Sequence, residues 1–194
     1  MIVGHLAPAL IPYARLPDTS LRLLLVCSML PDFVWIGLGL LGLEAPVPSS
    51  VLEATFQNIR VEMTLSHDAV PIVLLAAAVA AGVFAVRRRR AEALWCGALI
   101  IGHLLADLLS GYPHHLSGPR SPEIGLALYH RAPIAALLVE VAFGAACVAL
   151  YLRIAPRKTV ATQRLALYAI FIIGALVWLP TATTPLGRLL HFSR

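Results

Sequence analysis

The sequence predicts an all-α fold, a polytopic membrane helix bundle of about five transmembrane helices preceded by a short, half-inserted N-terminal helix. Composition is the first reason: 59% of the 194 residues are hydrophobic, 13% are charged, and the mean hydropathy is +0.84. A soluble domain is about 45–50% apolar and about 25% charged. The second reason is that several apolar stretches reach or approach the roughly 20 residues with which a helix crosses a bilayer. Helix is expected because hydrocarbon cannot satisfy exposed backbone groups.

The individual elements follow from these stretches in chain order. The first dozen residues are apolar but too short to span, and Pro8 and Pro12 within them argue against a cleaved signal peptide. The chain is interpreted as one membrane-embedded domain, residues 1–194. Residues 1–135 carry the candidate metal site, and residues 136–194 supply supporting helices and a tail. The predicted spans are residues 21–43, 69–86, 93–110, 134–154 and 166–184.

The basic residues indicate membrane orientation rather than nucleic-acid binding. The net charge is +5 and the pI is about 9.6, but the basic residues lie mostly between apolar segments, with four arginines at residues 87–90. Such a run beside a span is typical of a cytoplasmic loop. Alternation of the spans then puts ten of the 15 basic residues inside and five outside, as the positive-inside rule requires. Besides the arginine run, the inside set comprises Arg15, Arg22, Arg153, Arg157, Lys158 and Arg164.

This orientation predicts a multi-pass protein of a bacterial-type inner (cytoplasmic) membrane. Residues 44–66 and 111–133 form the two long loops on the external or periplasmic side.

Several ionisable side chains interrupt the apolar segments. Such residues are costly in hydrocarbon and usually face the bundle interior or a water-filled cavity. His103 and Asp107 are four residues apart, so on a helix their Cβ atoms lie roughly 5–6 Å apart on one face and both side chains can reach one cation. For this pair alone, a structural His–Asp contact that bridges two helices is an equal alternative. The full set is His5, Asp32, His67, His103 and Asp107, with His114 or His115 just past the third span.

The depths of these residues agree. At about 1.5 Å per residue, His103 and Asp107 lie about 15 and 21 Å from the cytoplasmic start of their helix. Asp32 lies at about 16 Å and His5 at roughly 12 Å, while His67 is about 28 Å along its helix before any tilt. Four parts of the chain therefore place His or Asp in the middle-to-outer zone of the membrane, which predicts one shared site toward the periplasmic side.

The residue types narrow the choice of ion. Cys27, Cys96 and Cys147 lie singly without a CxxC motif, so no thiolate site or disulfide framework is predicted. Imidazole and carboxylate ligands suit Zn²⁺, with Mn²⁺ and Fe²⁺ as alternatives. Six ligands exceed the three, plus water, that one catalytic zinc uses. They would suffice for two ions roughly 3.5–4 Å apart and bridged by one carboxylate.

Three acidic residues are candidates for catalysis. Asp107 is the candidate bridging carboxylate, and Glu140 and Asp68 are candidate general bases. Glu140 can equally accept a hydrogen bond from a ligand histidine or pair with an arginine. Asp68 can equally be a charge at the start of the second long helix, for which Ser66 is the expected N-cap.

These residues, in this order, resemble the YdjM-like group of bacterial inner-membrane proteins, which are described as metal-dependent hydrolases. The resemblance covers roughly residues 1–135 and extends distantly to zinc-dependent phospholipases C and single-strand-specific zinc nucleases. It implies a phosphoesterase-like site on His5, Asp32, His67, His103, Asp107 and His114. The motifs are His5 in "GHLAPAL", "LPD" at residues 30–32, "SH" at 66–67, "HxxxD" at 103–107, and the histidine before "GLALY" at 125–129.

The favoured function is a membrane-embedded, metal-dependent hydrolase. Its substrate would be a phosphoester in a lipid or lipid-linked molecule, reached from the outer-leaflet side. The alternatives are a non-catalytic ion- or proton-conducting protein, and a haem-anchoring protein with His67 and His103 as axial ligands.

Overall fold

The computed structural model describes residues 4–50, 52–155 and 160–190. Within these ranges the chain is an all-α bundle with one two-stranded antiparallel hairpin, which confirms the predicted fold class. The elements are a 3₁₀ helix Gly4–Ala9, α1 Leu10–Arg15, α2 Leu21–Leu40, α3 Ala69–Arg87, α4 Arg90–Ser110, β1 His114–His115, β2 Glu123–Ile124, α5 Leu128–Arg131, α6 Pro133–Ile154, α7 Ala161–Leu176 and α8 Leu186–Leu189.

Four of these helices, α2, α3, α4 and α6, are long and apolar enough to cross a membrane. The fifth predicted span, residues 166–184, differs in its bounds: α7 begins earlier and has 16 residues. Beyond Leu176 the backbone continues in short turns, in which the Trp178 amide donates to the Ala175 carbonyl. Pro180 disfavours a helical conformation for the residue before it, so the helix does not resume there.

Helix α4 is the central helix of the bundle. Over half of its apolar window (56%) is buried by other parts of the protein, against 11% for α3. At Gly97 the two helices approach so closely that a Cβ atom would lie 3.2 Å from the Ala76 carbonyl oxygen. The same interface contains an apolar cluster of Ile72, Ala76, Ile100 and Leu104.

The N-terminal segment, predicted to be half-inserted, packs inside the bundle as the 3₁₀ helix followed by α1. Ala7 and Leu10 are buried against α6 and α7, in a cluster with Val148 and Phe171. Pro8 lies within the 3₁₀ helix. This packing brings the start of the chain into contact with helices that follow much later in sequence.

The end of the bundle that contains the buried residues His67 and Asp107, here called the polar end, lies opposite the turn at residues 87–90. Because α3 and α4 form an antiparallel hairpin around that turn, the start of α3 lies beside the end of α4. His67 lies in the turn before α3, and Asp68 occupies the N-cap position. The expectation that Ser66 caps this helix is wrong, because its hydroxyl donates to Glu44 instead.

Two loops cover this polar end. Residues 41–68 and 111–127 pack over it through an apolar cluster that includes Phe56, Tyr129, Leu137 and Ala182. Arg157 and Lys158 of the predicted inside set, and residues 191–194 of the predicted tail, lie outside the described residues.

Candidate metal centre

Asp107 lies at the centre of a buried cluster of imidazoles. Its Oδ1 atom is 3.2 Å from His5 Nε2. Its Oδ2 atom is 3.4 Å from His103 Nε2 and 3.9 Å from the Nε2 atoms of both His67 and His114. Gly111 permits this arrangement, because a Cβ atom there would lie 2.7 Å from Asp107 Oδ1. One carboxylate thus reaches four histidines that come from different parts of the chain.

Asp32 completes the cluster from α2. Its Oδ1 atom is 3.3 Å from His67 Nε2 and 3.6 Å from His103 Nε2. The structure therefore brings all six predicted ligands together. Two overlapping groups have ligand atoms within 4.8 Å of one another and share His103: His5, His103 and Asp107, and Asp32, His67 and His103.

The N-terminal segment is fixed in place at this cluster. His5 is buried, and its ring stacks on that of His103 with centroids 3.5 Å apart and an interplanar angle of 12°. The Ser28 hydroxyl of α2 donates to the His5 carbonyl. The position of His5 therefore depends on both α2 and α4.

The tautomer of His103 follows from its hydrogen bond to α2. Its Nδ1–H donates to the Ser28 carbonyl at 2.8 Å. In the neutral ring the Nε2 atom then carries a lone pair directed into the cluster. Donation of the other ring N–H to a carbonyl or carboxylate is the usual arrangement of a metal-ligating histidine.

His67 is oriented in the same way by two residues that sequence reasoning missed as site residues, Glu44 and Ser66. The Ser66 hydroxyl donates to Glu44 Oε2 at 2.5 Å, so its oxygen accepts from His67 Nδ1 at 2.8 Å. Glu44 Oε1 also accepts from the backbone amide of Leu65 at 2.5 Å. Glu44 is only 3% exposed, although it follows α2 in a loop. A lone buried glutamate 22 residues before the "SH" gives no signal in sequence.

These tautomers leave an excess of electron pairs at the centre. The Nε2 atoms of His67 and His103 are 3.3 Å apart, and both face the carboxylates of Asp32 and Asp107. The Nε2 atoms of the neutral rings and the carboxylate oxygens are all acceptors, so with both rings neutral the arrangement favours a cation among them. The donor set, nitrogen and oxygen without thiolate, fits Zn²⁺.

Of the two neighbouring histidines, His114 lies at the cluster and His115 does not. Burial lowers the pKa of His114 to about 4, so its ring is neutral at pH 7. Among the described residues, neither ring nitrogen of His114 has a hydrogen-bond partner. The His115 ring instead donates from Nδ1 to the Ser121 carbonyl at 3.0 Å.

Two of the three predicted catalytic residues lie outside the cluster. Asp68 accepts hydrogen bonds from the backbone amides of His115 at 2.9 Å and Gly118 at 2.6 Å, so it fixes the loop that carries His114. Glu140 is buried on α6 and accepts a hydrogen bond from the Tyr129 hydroxyl. Of the predicted set, Asp107 alone contacts the cluster histidines in the described part of the chain.

An apolar cavity of about 420 Å³ adjoins the cluster. Its polar end is formed by Asp32, His67, Asp107 and His114. The remaining lining is aliphatic and aromatic, and the aromatic residues are Phe33, Trp35, Phe56, Tyr112, Tyr129 and Trp178.

Comparison with known families gives a match over nearly the whole chain. Residues 1–183 match the family described as YdjM inner membrane protein. Neither the curated proteins nor the solved structures contain a match. The match includes every residue of the cluster and extends past the motif-bearing residues 1–135 to α6 and α7. The chain belongs to the YdjM inner membrane protein family and is an inner-membrane protein.

Proposed function

We propose that this protein is a membrane-embedded, metal-dependent hydrolase that cleaves a phosphoester of a lipid or lipid-linked substrate from the outer-leaflet side. One observation carries the proposal: the Nε2 atoms of two imidazoles, oriented by Ser28 and by Glu44–Ser66, converge with the carboxylates of Asp32 and Asp107. Scattered structural polar residues would not need to bring ring nitrogens and carboxylates from several helices to one point inside an apolar bundle.

The ligand groups support one or two Zn²⁺ ions. His103 belongs to both groups, and the two oxygens of Asp107 face different histidines, as a bridging carboxylate requires. When bound, Zn²⁺ would lower the pKa of a coordinated water and polarise a phosphoryl oxygen. The protein contributes the fixed positions of the ligands and the exclusion of bulk water.

Asp32 is a better candidate for a general base than Glu140 or Asp68, and in that role the metal would be held by Asp107 and the cluster histidines. The Asp32 side chain is 27% exposed and lines the cavity, whereas the Asp107 side chain is 8% exposed. A carboxylate at the cavity wall can reach a proton on a bound substrate or water. The contacts of Asp68 and Glu140 favour positioning roles instead.

The surroundings of the cavity support a lipid substrate. Among the residues that the structure describes, no lysine or arginine lines it, so the charge of a bound phosphate would be balanced by the metal rather than by a basic pocket. The outer-leaflet direction rests on the basic run at residues 87–90, which lies at the other end of α3 and α4.

The alternatives fit this geometry less well. An ion pathway would need polar groups from one face to the other, but the bundle below the cluster is filled by Leu24, Cys27 and Leu99. A haem would have to lie between His67 and His103, whose Nε2 atoms are too close at 3.3 Å to admit a porphyrin plane.

Elemental analysis of the full chain, purified in detergent, tests the metal site. We expect one or two Zn²⁺ per chain, with a strong loss in His103→Ala. His115→Ala is the matched control, because His115 lies next to the cluster without contacting it. Equal metal content in the two variants would contradict the proposal.

Hydrolysis is then measured on phospholipid substrates in nanodiscs. We expect activity to disappear on chelation and to return with added Zn²⁺. Activity that survives complete removal of metal would exclude a metal-dependent mechanism.

A further inference from the structure

Outside the cluster, the cavity is lined mainly by apolar and aromatic side chains. Met29, Phe33 and Ile36 of α2 form one side, and Phe56 and Val61 of the covering loop form another. Its charged lining residues are Asp32 and Asp107, both in the cluster. A polar substrate, such as a nucleotide or a free sugar phosphate, would leave most of its hydrogen bonds unmade in this space.

The volume of the cavity matches one hydrocarbon chain. At about 420 Å³ it lies within the usual range for ligand pockets, about 300–1,000 Å³. A dry cavity of about 150 Å³ holds one benzene, so this one holds roughly 15 carbon atoms by the same scale. The two chains of a diacyl phospholipid do not fit together in that volume.

Two residues that line the cavity, His114 and Trp35, have buried polar ring atoms. Neither ring nitrogen of His114, which is 2% exposed, has a hydrogen-bond partner among the described residues. The indole N–H of Trp35 is likewise buried and, within the described ranges, without an acceptor. Buried polar atoms are normally satisfied, so the Trp35 N–H, which is not part of the cluster, points to a ligand that carries an acceptor oxygen in the cavity.

The bilayer itself gives access to the cavity. Phe33 and Ile36 line it and are each 50% exposed, so part of this lining is an accessible surface of α2. In a membrane, that surface contacts lipid chains. An apolar chain can therefore pass between the bilayer and the cavity without crossing water.

From these four observations we infer that the cavity binds the single hydrocarbon chain of an amphiphilic substrate, so that the substrate is a single-chain phosphate ester such as a lysophospholipid. The phosphate lies at the cluster and the chain lies along Phe33, Phe56 and Val61. This inference rests on the proposed function for the nature of the scissile group. Binding of the chain, however, can be measured without catalysis.

The test is photolabelling of the chelator-treated, full-length protein in nanodiscs. The probe is an ether-linked 1-alkyl-glycerol-3-phosphate with a diazirine at the end of a chain of about 15 carbons. We expect saturable labelling of residues 56–63, which lie in the covering loop rather than on a lipid-facing helix. An unlabelled single-chain analogue should compete, and a diacyl phosphatidic acid should not.

Two variants separate cavity binding from contact with bulk lipid. Val61→Trp fills the cavity and should reduce labelling about tenfold, because the larger side chain occupies the space that the hydrocarbon chain needs. Leu74→Trp is the control, because Leu74 is 64% exposed on α3 and outside the cavity. Size-exclusion profiles confirm that both variants remain folded.

The outcomes distinguish this inference from the proposed function. Labelling confined to lipid-facing helices, or equal labelling of the two variants, would overturn the cavity assignment even if the protein proves to be a zinc hydrolase. Competition by the diacyl lipid would overturn the single-chain class. Saturable loop labelling in a protein that binds no metal would support the chain site while the hydrolase proposal failed.

Discussion

The carboxylate of Asp107 links the histidines of the candidate metal centre, because each of its two oxygens faces a different histidine. The orientation of the histidines, in contrast, is set from outside. Ser28 fixes His103 through a backbone carbonyl, and Glu44 fixes His67 through the Ser66 hydroxyl. These hydrogen bonds use the Nδ1 atoms of the two rings. They therefore leave the Nε2 atoms free to bind a metal.

At the residue scale, Glu44→Gln should weaken metal binding while leaving all six ligands in place. The neutral amide is a poorer acceptor for the Ser66 hydroxyl, so the orientation and basicity of His67 are less well maintained. We expect a 10–100-fold lower Zn²⁺ affinity, roughly the loss seen when such supporting groups are removed. A competition titration against a chelator of known affinity measures it.

Glu53→Gln is the matched control, because Glu53 is exposed in the same loop. Equal affinities in the two variants would show that the Glu44–Ser66 contact does not influence the site.

Much of the cluster could be predicted from sequence because helix geometry and membrane thickness determine depth. The spacing of His103 and Asp107 predicted that both side chains lie on one face of their helix. The predicted depth of Asp32 in the membrane was similar to theirs. The role of Glu44 could not be predicted, because it depends on how a 28-residue loop, residues 41–68, folds back on α2. For Asp68 the sequence left two roles open, and the structure places it at the N-cap of α3 with its carboxylate directed to another loop, although its neighbour His67 enters the cluster.

At the scale of elements, the close contact between α3 and α4 sets the position of His103. Without a hydrophobic driving force between helices in lipid, small residues at such contacts let backbones pack closely. Gly97 lies at this contact, one helical turn and a half from His103 along α4.

Gly97→Leu should therefore separate the two helices and destabilise the bundle. Overpacking of a tight interface costs about 1–3 kcal/mol, so we expect a lower denaturant midpoint. Gly82→Leu is the control, since a Cβ atom at Gly82 on α3 meets nothing within 4 Å. Unfolding in mixed detergent micelles, followed by circular dichroism, compares them. A larger loss of stability in the Gly82 variant would contradict the assigned interface.

The predicted spans also show which helix limits can be predicted from hydropathy and which cannot. Predominantly apolar runs predicted α3, α4 and α6 to within a few residues, because hydrophobicity largely decides which residues enter the membrane. The limits of α7 were less accurate, because Thr162, Gln163 and Arg164 extend the helix as polar residues. Helical hydrogen bonds continue into polar sequence, so hydropathy underestimates that end.

At the scale of the whole molecule, the two ends of the bundle have different chemistry. One end carries the cluster under its covering loops. At the other end, Arg87 Nε is 3.1 Å from the buried Glu92, and Arg89 lies 3.6 Å from Asp18 of the α1–α2 turn. The ion pairs join two turns of the chain at the end that the positive-inside rule assigns to the cytoplasm.

Cysteine labelling in spheroplasts tests this orientation. In a background without the native cysteines, Ser117→Cys lies in the loop beside the cluster and Arg90→Cys lies at the opposite end; both positions are exposed. We expect a membrane-impermeant maleimide to label Ser117→Cys in intact spheroplasts and Arg90→Cys only after lysis. The reverse pattern would place the cluster on the cytoplasmic side.

The contact between His5 and Asp107 has a consequence for biogenesis. His5 leaves the ribosome about 110 residues before His114 does, a delay of roughly 5–20 s at ordinary elongation rates. During that interval His5 has been synthesised, but the translocon has not yet released all the residues that it contacts in the cluster. The complete cluster can therefore hold an ion only after three hydrophobic segments have entered the lipid, that is, after the first 114 residues have been made.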